Sequence, residues 1–219
     1  MPPEPPDDAD GKPDGGVSRR DFLKGIGAGG GALGAGLLAE APAPPKQGML
    51  AGARHFGPGP VAITLNVNGE PRELKVEPRV TLLDALRDRL DLTGAKKICD
   101  RGACGGCSVL LDGKPVYSCM LLALDVRGRA ITTIEGIGAK DRLHPLQHAF
   151  IERDALQCGF CTPGFVVASK ALLDATPKPT LDEVREGLAG HLCRCGTYTR
   201  IYEAVLATAG RAGGGAKTS

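Results

Sequence analysis

The chain has 219 residues, enough for one or two domains, with a formal net charge of +2 and only 4% aromatic residues. Lys+Arg 27 against Asp+Glu 25 leaves no basic excess for nucleic-acid phosphates, and no long charge-free run of large apolar residues offers a membrane span. Eight cysteines, tightly grouped, are the unusual feature.

Residues 1–16 are Pro, Gly and acid without apolar periodicity, which reads as a disordered leader. Ser18-Arg19-Arg20-Asp21-Phe22-Leu23-Lys24 has the form of a twin-arginine export signal. A Gly-rich, charge-free stretch over 25–39 follows where an h-region belongs, and Ala39-Glu40-Ala41 is a cleavage candidate. The signal is therefore assigned to 1–41 and implies export to the periplasm by the twin-arginine translocase. That route is associated with folded, cofactor-loaded cargo, so the cysteines need not form disulfides although the destination is oxidising. Residues 42–60 are a Pro/Gly-rich linker.

Residues 61–137 read as a small β-rich unit. Val61–Val67 alternates apolar and polar, Asn68-Gly69 is a hairpin turn, and 72–76 is the return strand. Thr81 caps a predicted helix over 82–90, with Leu82, Leu83, Leu86 and Leu90 on one face. A second strand pair runs through Val109-Leu110-Leu111, Asp112-Gly113 and Val116-Tyr117, and a fifth strand is predicted over 130–134. Two hairpins around one helix suggest a β-grasp. So small a core usually needs a staple.

Cys99, Cys104, Cys107 and Cys119 provide one, in the spacing C-x4-C-x2-C-x11-C of plant-type ferredoxins. Three ligands from one loop require repeated turns, which Gly102, Gly105 and Gly106 would permit through positive φ or close backbone approach. Two disulfides or a four-Cys zinc site are the competing readings; a zinc ribbon normally shows two C-x2-C pairs. Lys96, Lys97 and Arg101 flank the loop, as solvated charge or as support for an anionic site.

Over 138–209 the period becomes helical. Pro145 opens one helix, Thr162-Pro163 is read as an N-cap and first turn, Thr180–Glu183 forms a capping box, and Ile201, Ala204, Val205 and Thr208 mark a fourth helix. This suggests a small four-helix bundle. Its loops hold Cys158, Cys161, Cys193 and Cys195 at predicted helix starts, where the dipole favours anions. His144 and His148 read as ordinary helix surface; His191 is set aside because eight cysteines already complete two sites. Residues 210–219 read as a disordered tail. The fold class expected is α+β: an N-terminal β-grasp, plant-type ferredoxin-like domain, then the four-helix-bundle domain.

The segments Cys99–Cys107, Gln157–Gly164 and Gly190–Cys195 together resemble the small iron–sulfur subunit of the xanthine oxidase family of molybdenum hydroxylases. With the export signal, the chain is similar to the periplasmic aldehyde oxidoreductase branch and to isoquinoline oxidoreductase iron–sulfur subunits. The sequence departs from many members in Gly196-Thr197-Tyr198 after Cys195 and in His191 in place of a common Asn. The resemblance implies two 2Fe–2S clusters, one on Cys99, Cys104, Cys107 and Cys119 facing an FAD-binding subunit. The other lies on Cys158, Cys161, Cys193 and Cys195 and faces a large molybdenum-cofactor subunit. Gln157 and Cys195 would contact the molybdenum-pterin cofactor held mainly by that subunit. The chain would then pass single electrons from the molybdenum centre to the flavin, with no catalytic residue of its own. A stand-alone ferredoxin-like carrier or a structural zinc protein are the alternative functions.

Overall fold

A computed structural model describes residues 20, 21, 23, 24, 56–138 and 141–212, with side chains to 210. The chain divides into two units, Met1–Arg54 and His55–Ser219. In the first, Arg20, Asp21, Leu23 and Lys24 are helical and exposed. Arg19, the h-region, the cleavage site and the tail from 213 lie outside the described residues, as does most of the linker.

The second unit begins with β1 (Val61–Val67) and β2 (Glu70–Val76), an antiparallel hairpin closed by Asn68 and Gly69 at φ 54° and 83°. Those left-handed angles suit the twist of the hairpin, which is why Asn-Gly signals it. Alternation drives Ile63, Leu65, Val67, Leu74 and Val76 to one buried face. A second hairpin joins β3 (Ser108–Leu111) to β4 (Lys114–Tyr117) through Asp112-Gly113, again with positive φ at both residues. The last strand, β5 (Ala130–Thr132), pairs parallel with β1 and antiparallel with β3, giving the sheet order β2-β1-β5-β3-β4. It stops two residues short of the expectation, because a 3-10 turn takes over at Ile134–Gly136.

The helix expected over 82–90 is shorter and wider. α1 (Leu82–Asp84), capped by Thr81, passes into a π-helical turn over Ala85–Arg89. Leucine spacing marks the buried face without fixing the hydrogen-bond period. Leu82, Leu83 and Leu86 are fully buried under the sheet, each worth about 2 kcal/mol in transfer terms.

Four helices follow: α2 (Pro145–Glu152), α3 (Thr162–Ala175), α4 (Leu181–Gly187) and α5 (Tyr198–Ala212). α4 starts with the expected reciprocal capping box of Thr180 and Glu183. α2 has a similar box from His144 and Gln147, so His144 caps a helix rather than lying on its surface. His148 is exposed on α2. Thr162 is the first helical residue and Cys161 takes the N-cap position, because the Cys161 carbonyl already accepts the Phe165 N–H.

The helices form a second core around Phe150, Phe165, Leu188 and Ile201. β3 belongs to both cores: Val109 and Leu111 face α1, whereas Leu110 faces the helices. Every residue of this strand is buried. Among the described residues no helix is long and apolar enough to cross a membrane.

Candidate metal centres

The first thiol set lies in the loop between α1 and β3 and in the 3-10 turn Ser118–Met120. Cys104, Cys107 and Cys119 are buried and Cys99 is partly exposed. Gly102 and Gly105 have φ of +68° and +72°, as the turns of the loop require, whereas Gly106 has no positive φ and leaves room for the close approach of Ile98. Gly102 N–H donates to Cys119 Sγ at 3.3 Å and Ala103 N–H to Cys99 Sγ at 3.4 Å. Lys97 pairs with Asp84 and Asp100, and the Lys96 ammonium donates to the Thr93 carbonyl, so neither lysine's ionic contact is with a thiol.

The second set is split between the turn before α3 and the turn before α5. Cys158 is exposed, Cys161 and Cys195 are partly exposed, and Cys193 is buried. Cys161 caps a 14-residue helix, so the positive end of α3 lies against this set. Cys193 Sγ lies 3.2 Å from Thr197 Oγ1, and the Cys193 N–H donates to Tyr198 Oη at 2.8 Å. Gly196, at φ +80°, makes the turn that returns the chain from Cys195 to α5.

None of the eight cysteines is in a disulfide. Within the first set Cys99 interacts with Cys104 and Cys107 with Cys119; within the second Cys158 interacts with Cys195 and Cys193, and Cys161 with Cys193 and Cys158. Among the described residues no three His, Cys, Asp or Glu side chains converge on one metal-ion position. A two-iron cluster takes two thiolates at each iron. The donor set and the amides aimed at sulfur fit 2Fe–2S clusters.

Local electrostatics divide each set. Backbone N–H groups, Arg101's foremost, bring Cys99 down to about 7, and burial pushes Cys107 up to about 11. Burial also pushes Cys161 up to about 12. For Cys193 burial opposes ionisation, but the Thr197 hydroxyl and nearby amides outweigh it and bring the thiol down to about 7. The Phe160 N–H, chiefly, lowers Cys158. Each set thus holds one thiol that ionises near neutrality, Cys99 or Cys193, beside one that resists, Cys107 or Cys161, and cluster binding must drive the proton off the latter.

The two sets are joined directly. Leu192 N–H donates to the Cys104 carbonyl at 3.0 Å, linking the residue before Cys193 to a thiol-bearing residue of the first loop. Tyr117 Oη donates to the Gly190 carbonyl at 2.8 Å. The first turn of α3 presses on the first loop, where a Cβ on Gly164 would strike the Gly105 carbonyl oxygen. Burial holds the His191 imidazole down to about 4, neutral at physiological pH, with Nε2 2.8 Å from Ser108 Oγ. Sequence reasoning set His191 aside and did not consider Ser108; 83 residues separate them and no local motif links them.

Gln157, Cys158 and Phe160 form an exposed stretch before α3, with Phe160 51% exposed. Ile98, Met120 and Leu192, each next to a cysteine, are also exposed apolar side chains. Arg194 is exposed.

Residues 65–131 match the family described as 2Fe-2S iron-sulfur cluster binding domain, and residues 133–206 match that described as 2Fe-2S binding domain. The chain is 40% identical to the aldehyde oxidoreductase iron-sulfur-binding subunit PaoA of Escherichia coli, over 89% of each chain. It is 48% identical to the nicotine 6-hydroxylase small subunit of Paenarthrobacter nicotinovorans, covering 70% of this chain and 92% of that one. Among solved structures it resembles quinoline 2-oxidoreductase from Pseudomonas putida 86, with a TM-score of 0.67 and 44% identity over 70% of this chain and 98% of that one.

Proposed function

The chain belongs to the 2Fe–2S iron–sulfur subunits of the xanthine oxidase family, and from that membership we propose how its thiols, partners and address are arranged. It is the electron-transfer subunit of an oxidoreductase complex and carries two 2Fe–2S clusters. Each cluster, when bound, accepts and returns one electron.

Cys99, Cys104, Cys107 and Cys119 hold one cluster in a β-grasp domain over 61–137. Cys158, Cys161, Cys193 and Cys195 hold the other in a four-helix bundle over 138–209. The observation that carries this assignment is the grouping of eight cysteines, none in a disulfide, into two sets with amides and a helix end aimed at them. Thiolates ligate, N–H groups offset the negative charge on sulfur, and the Leu192–Cys104 hydrogen bond connects the two loops.

The exposed Gln157–Phe160 stretch faces a large molybdenum-cofactor subunit, whose oxidised substrate is an aldehyde or N-heterocycle. The Gln157 amide and Cys195 contact the pterin there, since an amide can both donate to and accept from a heterocycle edge. An exposed phenylalanine beside an exposed thiol supports a covering partner. The first cluster faces an FAD-binding subunit, with Ile98 and Met120 beside it as exposed apolar contacts. Arg19-Arg20 directs the assembled complex to the periplasm. Iron and sulfide analysis, with about four of each per chain, two distinct reduced centres in electron paramagnetic resonance and co-purification of larger subunits test this reading. A single centre, or zinc in place of iron, would refute it.

A further inference from the structure

We propose that His191 is a positioning residue that latches the two cluster loops together through Ser108 and so fixes the separation across which electrons pass. This rests on the assignment of the two clusters above.

The Ser108 hydroxyl has one proton, and its oxygen lies 2.8 Å from the Gly105 carbonyl, to which it donates. The oxygen must then accept from His191, so the imidazole carries its proton on Nε2. That choice leaves Nδ1 as a bare acceptor, buried and without a partner. A buried polar atom left unpaired opposes folding, so the ring is not placed there for its own hydrogen-bonding balance. Its position follows from what surrounds it. Tyr117 stands edge-on at 6.0 Å, Phe165 tilts against it at 5.5 Å, and Gly105 lacks a Cβ where the ring lies.

The latch acts where three consecutive residues bond across from the second half of the chain. Gly190, His191 and Leu192 each bond across to the first half of the chain, at Tyr117, Ser108 and Cys104 respectively. Of these residues only His191 contributes its side chain. Ser108 directly follows Cys107, and His191 is two residues from Cys193, so the pair spans from one thiol set to the other. Removing the Nε2 donor leaves Ser108 bonded to Gly105 alone and lets the 190–192 segment lift from Cys104.

The test uses the assembled complex with His191→Leu, which keeps bulk and loses the donor. It also uses His191→Gln, whose amide nitrogen can donate from the ε position, and Ser108→Ala. Two 2Fe–2S signals in the unaltered complex test the cluster assignment itself. The latch is then read by the magnetic splitting between the two reduced centres and by hydrogen exchange at the Leu192 amide. In His191→Leu and Ser108→Ala both signals persist, the splitting changes, and Leu192 exchanges about five- to 150-fold faster, as loss of one buried hydrogen bond implies. His191→Gln restores both readouts toward the original. Unchanged splitting and unchanged exchange in His191→Leu overturn the proposal. If His191→Leu does not assemble, Ser108→Ala decides by the same two measurements.

Discussion

The Leu192 amide lies 3.0 Å from the Cys104 carbonyl oxygen, so one backbone hydrogen bond closes the gap between the two cysteine loops. Leu192→Pro removes that donor without touching a thiol. Both reduced centres should remain visible, while electron transfer from the helical-domain cluster to the sheet-domain cluster slows in stopped-flow absorbance. An unchanged rate would place the route elsewhere.

Cys104→Ser and Cys161→Ser should each abolish one paramagnetic centre and leave the other. The thiols of each set interact with one another. Loss of both signals from either substitution, in protein that remains folded, would contradict two separate sites.

Cluster insertion should strengthen with pH. Ligation requires thiolate, and Cys107 and Cys161, at about 11 and 12, are protonated near neutrality and must release protons as the cluster enters. Free-state protons are lost on binding, so occupancy falls as pH drops and rises as pH climbs. Reconstitution of stripped chain at several pH values, followed by visible absorption, reads this; a flat or inverted profile would be incompatible with it.

Gln157→Ala should keep both 2Fe–2S signals yet lower molybdenum per complex or slow cluster reduction. Loss of one hydrogen bond to a buried polar partner costs about 1–3 kcal/mol, enough to weaken cofactor retention and too little to unfold the chain. Normal molybdenum content together with normal reduction would remove Gln157 from the site.

On the proposed export reading, Arg19-Arg20→Lys-Lys should leave active, assembled complex in the cytoplasm, because a twin-arginine signal is an address read by a receptor. Fractionation followed by activity staining checks it. Activity appearing in the periplasm at the original level would dismiss the export reading.

What the sequence exposed was whatever is written locally. Asn68-Gly69 and Asp112-Gly113 announce hairpins because their side-chain chemistry dictates their own φ. Thr180–Glu183 announces a helix start because both capping hydrogen bonds lie within four residues. Cysteine spacing picked out the two thiol sets for the same reason. Thr162 misled because a proline after it resembles a capped first turn, whereas the preceding Cys161 carbonyl already belongs to the helix. The widening of 85–89 into a π-turn leaves the leucine spacing intact and so leaves no trace in it. The His191–Ser108 contact, the Leu192–Cys104 bond and the seating of Gly164 on Gly105 depend on two distant segments meeting, which no local pattern encodes.

β3 also limits how separable the two halves can be. With Val109 and Leu111 turned one way and Leu110 the other, four consecutive residues have no solvent-facing side to surrender. A gene fragment ending after the sheet would present Leu110 as a sticky stripe, and one beginning at the helices would lack the floor on which α3 rests. Either half alone would therefore leave one face of β3 uncovered, so the two cores share a wall that belongs to neither by itself.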